Sequence, residues 1–259
     1  MSPRPFPWTT VTVLLALAAL CSLLRSDEFP ARRGPLSQRM SQLPHRTLWV
    51  WERPEDLRAV DPATTAIAVL DQTILLGQDA RAVPRRQPLT YPAGAVRIAV
   101  VRMEAPPNAQ LGLAQQQEAV ALLLQSAAQP GIAALQVDFD ATRSQRGFYA
   151  SLLAELRRQM PLNLPLSITA LASWCSNDDW IAALPVDEAV PMLFRMEPDR
   201  RGAPADASWF RIREPLCTAS VGISTHEAWP DAMAGKRIYV FADRGWHEDL
   251  PLIAARKLP

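Results

Sequence analysis

Eight short runs of apolar residues, each about the length of one β-strand, recur along most of this chain and limit the folds open to it. They span residues 46–51, 65–70, 96–101, 135–140, 166–172, 189–194, 219–223 and 237–241. A closed (β/α)8 barrel needs eight parallel strands. We therefore predict an α/β fold of the TIM-barrel type, with an open α/β sheet as the alternative.

Two amphipathic segments lie between these runs, as a parallel sheet requires. Residues 113–128 and 144–160 place leucines at helical spacing, and the first segment stops before Pro130 and Gly131. They follow the third and fourth predicted strands, which is the order of a βαβ unit. The other connections offer little room for helices, because residues 71–95 suggest a hairpin and residues 224–236 have room only for a short helix. We therefore predict an irregular barrel with few helices, and the open α/β sheet remains the alternative.

The first 26 residues predict an export signal or a membrane or lipid anchor. Residues 8–24 are almost wholly apolar, which is short for a spanning helix, and Cys21 lies where a bacterial lipoprotein would be lipidated. Residues 27–44 are rich in Pro, Arg and Ser and predict a linker, so the domain is assigned to 45–259. The protein is accordingly predicted to be exported, and to be periplasmic, membrane-anchored or secreted, with membrane contact only through this segment.

Composition narrows the function classes and the redox chemistry. The 27 basic and 26 acidic residues nearly cancel and no basic run is interleaved with aromatics, so we do not expect nucleic-acid binding. Cys175 follows one predicted strand and Cys217 precedes another, which places them at opposite ends of a barrel. An oxidising compartment would allow a disulfide, but this separation predicts two unpaired cysteines.

The most informative motif is the acidic pair Asp138 and Asp140. Alternate residues of a strand point to opposite faces, so Gln136, Asp138 and Asp140 share one face. The apolar residues between them would pack against the helices, which turns the acids inward at the carboxyl end of the fourth strand, where barrel enzymes have their active sites. Neighbouring carboxylates raise one pKa, which suits a division of acid and base roles.

Other strand ends supply further candidates for a ligand site. Glu104 and Asp243 are candidates for a second catalytic carboxylate. Aromatic rings at strand ends suit stacking on sugars, and the predicted ligand-binding residues are Trp51, Gln136, Trp174, Arg195 and Trp246. The alternative is that the acids form a structural ion-pair network with an inward base such as Arg102 or Arg195.

Metal and cofactor sites are not expected. The histidines His45, His226 and His247 lack metal-ligand spacing, and no Cys pair has it either. No P-loop and no nucleophile elbow occurs. The carboxylates Asp138 and Asp140 could hold a divalent cation, as in a metal-dependent transferase, which is the weakest of the functions considered.

Three segments together resemble a bacterial domain-of-unknown-function family that is similar to the glycosidase-superfamily barrels. They are LQVDFDAT at 135–142, LSITALASWC at 166–175 and VPMLFR at 190–195, and the likeness covers about residues 48–246. A more distant likeness is to the family-eighteen chitinases, whose fourth strand ends in D-x-x-D-x-D-x-E. Asp138 and Asp140 match its second and third acids, but Leu135 and Thr142 replace the first acid and the catalytic Glu. A threonine hydroxyl cannot act as a general acid near neutral pH.

The resemblance and the acidic pair together predict a glycoside hydrolase-like barrel that acts on or binds an envelope or extracellular polysaccharide. In a hydrolase, Asp140 would be the general acid, with Asp138 setting its pKa or acting as base. The alternative is a non-catalytic carbohydrate-binding or scaffold barrel that has lost the catalytic acid. The sequence leaves open whether the protein is an enzyme, which sugar it takes and its oligomeric state.

Overall fold

A computed structural model describes residues 38–176, 178–195, 211–230 and 233–256. The strands are β1 Arg46–Val50, β2 Glu55–Asp56, β3 Thr65–Leu76, β4 Ala80–Pro84, β5 Leu89–Thr90, β6 Arg97–Glu104, β7 Ile132–Asp138, β8 Leu166–Leu171, β9 Glu188–Met192, β10 Ser220–Ser224 and β11 Arg237–Phe241. The α-helices are α1 Leu113–Ala127, α2 Arg146–Gln159, α3 Ala172–Ser176 and α4 Trp246–Ala255. Short 3-10 helices span Met40–Gln42, Arg143–Gln145 and Pro215–Cys217.

Eight of these strands form a closed parallel barrel. Their order is β1-β11-β10-β9-β8-β7-β6-β3, and β1 also pairs in parallel with β3, which closes the ring. Each predicted run contributes one barrel strand, so the (β/α)8 barrel is confirmed and the open sheet is wrong. The pairing is uneven around the ring, because β3 and β6 share eight register positions whereas β9 and β10 share only Met192 with Gly222.

Side-chain alternation along the strands separates an inner core from an outer core. Trp49, Val100, Val190 and Tyr239 belong to the inner core. The apolar residues that alternate with Gln136 and Asp138 along β7 point outward. Val137, for example, packs in one cluster with residues of α1 and α2. Because a strand has a period of two, this outward apolar face requires Asp138 to point into the barrel. The described strand thus places Asp138 on its inner face, as predicted.

The amino-terminal end of the barrel interior is filled by polar side chains that bond to one another. Glu188 is completely buried and accepts hydrogen bonds from the Tyr239 hydroxyl at 2.6 Å and from Ser167 at 3.2 Å. Burial raises the pKa of Glu188, although the positive charge of Arg237 opposes the shift. These hydrogen bonds link β8, β9 and β11 across the interior.

The segment before β1 belongs to the fold, which corrects the predicted domain boundary. Met40 and Leu43 are buried with the inner core, and the Arg237 guanidinium donates a hydrogen bond to the Met40 carbonyl. Sequence composition had placed both residues in a linker because a single turn has no visible apolar period. The described fold therefore begins before residue 45.

Cys175 and Cys217 form a disulfide, so the prediction of two unpaired cysteines is wrong. Cys175 lies in α3 directly after β8, and Cys217 lies in the 3-10 helix that precedes β10. Both belong to the outer core. The error came from assuming that a residue before a strand must lie at the far end of the barrel. The described residues just before β10 lie next to α3 instead, where the Arg213 amide donates to the Cys175 carbonyl at 2.8 Å.

The predicted hairpin between the second and third barrel strands is also present. β3 extends to Leu76 and pairs in antiparallel fashion with β4, while β5 pairs in parallel with β2. Among the residues that the structure describes, no helix has the length and apolar character needed to cross a membrane. The predicted signal or anchor, with Cys21, lies outside the described residues.

Candidate functional site

The acidic residue Asp138 lies inside the barrel mouth, which is the carboxyl end of the strands, and is fully engaged by neighbouring strands. Its side chain is 2% exposed. One carboxylate oxygen contacts Arg102 Nη1 at 2.8 Å, and the other accepts a hydrogen bond from the Thr169 hydroxyl at 2.7 Å. Arg102 and Asp138 are register partners on adjacent strands, which brings the two side chains together. The predicted structural ion pair with Arg102 therefore exists.

Asp140 lies just past the end of β7 and differs from Asp138 in its exposure. Its side chain is 46% exposed, and its nearest carboxylate oxygen is 3.9 Å from Arg102 Nη2. Partial burial raises the pKa of the Asp140 carboxyl, and the negative charge of Asp138 raises it further, while Arg102 acts in the opposite direction. Asp140 is thus a solvent-accessible carboxyl that holds its proton to a higher pH than an ordinary aspartate.

Glu104 belongs to the same cluster, because Arg102 contacts it through Nε at 2.9 Å. A single guanidinium therefore faces Asp138, Asp140 and Glu104. Burial lowers the pKa of Arg102, but the three carboxylates together outweigh that effect and raise it. We call Arg102, Glu104, Asp138 and Asp140 the acidic cluster.

Asp243 and Arg195 form a second polar group. Asp243 follows β11 and Arg195 follows β9, whereas the acidic cluster belongs to β6 and β7. Arg195 Nη2 contacts Asp243 at 2.9 Å, and the Ser224 hydroxyl donates to the other carboxylate oxygen at 2.8 Å. The Arg195 backbone has a φ of +51°, which is uncommon for a residue other than glycine. Its amide donates to both carboxylate oxygens of Glu227, at 3.0 and 3.1 Å, and this holds the unusual backbone in place.

Aromatic rings line the barrel interior between these two polar groups. Trp51 is half-buried, and its ring centroid lies 4.2 Å from that of Trp49 and 6.3 Å from that of Phe241. Phe194 packs on Phe241 at 4.7 Å. Trp51 is therefore the one predicted tryptophan whose ring borders the mouth and keeps an accessible part. A small cavity of about 220 Å³ lies between β3 and β4 and is lined by Glu52, Leu70 and Thr73 among others.

Three predicted ligand-binding residues cannot contact a ligand in this structure. Trp174 is 2% exposed and packs edge-on against Trp180, and Trp246 is completely buried in the outer core. Both begin helices or lie in them, so their rings turn toward the outer layer. Gln136 is completely buried between the Trp49 indole, at 2.8 Å, and the Ser167 hydroxyl, at 3.1 Å. The predictions for these side chains are wrong because burial takes them out of contact with solvent.

Thr142, which replaces the catalytic Glu of the chitinase motif, has a structural role. Its backbone amide donates to Gln145 Oε1 at 2.9 Å, and its hydroxyl lies 3.1 Å from the Ser144 hydroxyl. These contacts form the amino-terminal cap of the helical segment that becomes α2. The structure thus assigns position 142 to a helix cap.

Sequence reasoning missed Thr169, Ser224 and Glu227, which position the charged groups of the mouth. Each is a single polar residue on or after a strand. Such residues more often belong to turns or helix caps than hold a charged side chain in position. The alternation of Ser167 and Thr169 on β8 was the one available signal, since it gives that strand a polar inner face. Within the described ranges, no cluster of His, Cys, Asp and Glu side chains has the arrangement of a metal site.

Comparison with known proteins relates part of this chain to a family. Residues 93–206 match the model of the family described as "Domain of unknown function (DUF3142)". No curated protein matches the chain. Among solved structures, the crystal structure of the Bacillus cereus spore cortex-lytic enzyme SleL is similar, with 14% identity and a TM-score of 0.43. That likeness covers 70% of this chain and 51% of the other, so this chain spans about half the length of that protein.

The matched stretch contains Glu104, the acidic pair and Arg195. The predicted resemblance to a domain-of-unknown-function family is therefore confirmed over this part of the chain. The chain is similar, over residues 93–206, to a family whose description states no activity.

Proposed function

We propose that this protein is an exported glycoside hydrolase that binds a polysaccharide across the mouth of the barrel, with Asp140 as the general acid. The observation that supports this most directly is the state of the Asp140 carboxyl. It is half-exposed at the carboxyl end of a barrel strand, and burial and Asp138 raise its pKa. A general acid needs both access to the substrate and a proton at the working pH.

In this mechanism, Asp140 donates its proton to the glycosidic oxygen as the bond to the anomeric carbon breaks. A water molecule attacks that carbon, and a second carboxylate accepts the proton of the water. Glu104 and Asp243 are the candidates for that base. Asp138 is held by Arg102 and Thr169, and its negative charge helps to raise the pKa of the Asp140 carboxyl. Trp51 supplies an aromatic surface for a sugar ring, and Arg195 supplies hydrogen-bond donors to its hydroxyls.

The disulfide between Cys175 and Cys217 supports export. Disulfides persist in oxidising compartments and are rare in the cytosol. We propose that residues 1–26 direct export or anchor the protein, which leaves the barrel in the periplasm or outside the cell.

The test is reducing-sugar release by the full-length protein from a panel of bacterial and extracellular polysaccharides. Asp140→Asn keeps the size of the side chain and removes its proton, so release is expected to fall at least about a hundredfold. Asp179→Asn is the matched control, because Asp179 is an exposed aspartate between α3 and β9 and should retain wild-type activity. Wild-type release that persists unchanged in Asp140→Asn would refute the assignment of the acid.

A non-catalytic carbohydrate-binding protein is the second candidate, and the state of the other carboxylates favours it. Arg102 contacts Glu104, Arg195 contacts Asp243, and Thr142 caps a helix where related motifs have an acid. Each candidate base is thus already engaged in an ion pair with an arginine. Glycan-array binding by wild type and Asp140→Asn alike, with no release by either, would select this function over hydrolysis.

A further inference from the structure

We infer a second sugar-binding site in a groove beside the barrel mouth, which takes a neutral sugar unit of the polysaccharide bound at the mouth. We call it the side groove. It lies between residues 109–113, which follow β6, and the start of α2, and its volume is about 420 Å³. Ligand sites commonly fall in the range of roughly 300–1,000 Å³. The inference rests on the proposed function, since it extends the binding surface of that same site.

The side groove adjoins the acidic cluster through the backbone. One wall continues from β6, which ends in Glu104, and the other begins at Ser144, four residues after Asp140. Gln145 joins the two walls, because its side-chain amide donates to the Pro106 carbonyl at 3.0 Å. The proposed path of the polysaccharide therefore runs from Asp140 to the segment at Ser144 and Gln145, which lines the side groove.

The lining of the side groove selects the chemistry of its ligand. Its residues are all uncharged, and they combine amides and hydroxyls, such as Gln110, Gln116 and Ser151, with apolar Leu113 and Phe148. Leu113 is 66% exposed and gives this lining an accessible apolar surface. A neutral sugar presents hydroxyls at its edge and C–H groups on its faces, so it matches both kinds of lining. A carboxylated or sulfated sugar would meet no cation among these residues.

Gly147 gives independent support for an open groove. It lies in the first turn of α2, its φ is not positive, and an added Cβ would meet no atom within 4 Å. Neither backbone conformation nor steric crowding therefore requires glycine here, although glycine weakens a helix relative to alanine. Since Gly147 lines the side groove, a large side chain at this position is expected to fill part of it.

The experiment fills the side groove and measures how affinity depends on ligand length. Gly147→Trp introduces a large ring without a backbone clash, and Gly147→Ala is the matched control. Full-length wild type and both variants are titrated calorimetrically with chito-oligosaccharides, cello-oligosaccharides and oligogalacturonates of two to six units. We expect neutral oligomers to gain about tenfold in affinity once they reach the side groove, and Gly147→Trp to remove that gain while Gly147→Ala retains it.

The outcomes distinguish a failure of the side groove from a failure of the proposed function. Equal affinity of Gly147→Trp and wild type for the longest neutral oligomer would overturn the side groove as a binding site. A length gain for oligogalacturonates as large as that for neutral oligomers would overturn the assigned ligand chemistry. Binding without any dependence on length would overturn the inference alone, whereas the absence of binding by every oligomer would overturn both. An unchanged affinity for the shortest oligomer, with an unchanged melting temperature, shows that Gly147→Trp is folded.

Discussion

At the scale of single residues, the barrel mouth depends on Arg102. This guanidinium contacts Asp138 and Glu104 directly and lies 3.9 Å from Asp140. The acidic pair would otherwise place two like charges next to each other in a site of low polarity. Arg102 makes that arrangement possible and also limits how far the pKa of Asp140 rises. An accessible carboxyl with a raised pKa and a buried ion pair thus occur together in the acidic cluster.

Arg102→Met is expected to destabilise the protein by about 3 kcal/mol, the lower end of the range for breaking a buried pair, because Arg102 is partly exposed. The reason is that Asp138 would remain buried without its cation. The double variant Arg102→Met/Asp138→Asn removes both charges and should recover most of the loss. Urea unfolding measures the free energy of unfolding of both variants. A loss below about 1 kcal/mol in the single variant would contradict a buried, coupled pair.

The pH dependence of hydrolysis should move in opposite directions when the two neighbours of Asp140 are changed. Activity requires protonated Asp140, so it is lost as the pH rises through the pKa of that carboxyl. Asp138→Asn removes a charge that raises this pKa and should move the loss to lower pH. Arg102→Met removes a charge that lowers it and should move the loss to higher pH.

The pH profile of kcat/KM records these shifts, and the carbonyl ¹³C titration of Asp140 records them without turnover. Shifts in the same direction for both variants would mean that a different group controls the profile. Asp140→Asn should also slightly stabilise the protein at neutral pH and not at acid pH. A raised pKa in the folded state means that ionisation of Asp140 opposes folding, and this cost disappears once the pH falls below the ordinary aspartate pKa.

The residue scale is also where prediction from sequence reached its limit. Period-two alternation was sufficient to turn Asp138 into the barrel, because strand geometry alone determines the face, whereas Asp140 lies beyond the end of that strand. Alternation gives no information on how far a side chain lies below the surface. Trp174, Trp246 and Gln136 are all at or near strand ends in sequence, yet neighbouring helices and inner side chains bury them completely or nearly so.

At the scale of elements, two glycines illustrate opposite local requirements. Gly147 in α2 has open space in front of it, whereas a Cβ at Gly222 in β10 would lie 3.2 Å from the Phe241 ring and 3.3 Å from the Pro191 carbonyl. Gly147 therefore leaves a surface groove open, and Gly222 allows β9 and β10 to approach each other.

Gly147→Ala should stabilise the protein by up to about 1 kcal/mol, since alanine favours the helix and meets nothing. Gly222→Ala should destabilise it by about 1–3 kcal/mol, because its neighbours include backbone and a packed ring. Thermal unfolding of the two variants beside wild type provides the comparison. Equal changes of the same sign would show that local space does not control either position.

The elements themselves were largely predictable, and their tertiary connections were not. Apolar runs located all eight barrel strands, and leucine spacing located α1 and α2. The disulfide could not be located this way, because it depends on the path that the chain takes between β9 and β10. Met40 likewise gave no periodic signal, since one turn before β1 is too short to have a period.

At the scale of the whole molecule, a covalent bond links positions on either side of β9. Cys175 follows β8 and Cys217 precedes β10, with 42 residues of sequence separation. Closing a loop of that length restricts the unfolded chain and stabilises the folded one by about 4 kcal/mol in the chain-entropy description.

Cys175→Ser/Cys217→Ser is therefore expected to lose about 4 kcal/mol in urea unfolding, and wild type in dithiothreitol should lose a similar amount. Dithiothreitol should have no further effect on the double variant, which controls for other actions of the reductant. A wild-type transition that does not respond to complete reduction would contradict a stabilising role of the disulfide.

The uneven pairing of the ring determines where this barrel opens first. Pro191 has no amide hydrogen to donate, and β9 meets β10 at only one register position, so few ladder bonds resist local separation there. Amide hydrogen exchange should accordingly be faster at Met192 and Gly222 than along β3 and β6. Arg195 follows β9 and Ser224 is the last residue of β10, and both side chains contact Asp243. Local separation of these two strands is therefore expected to move the two partners of Asp243 relative to each other.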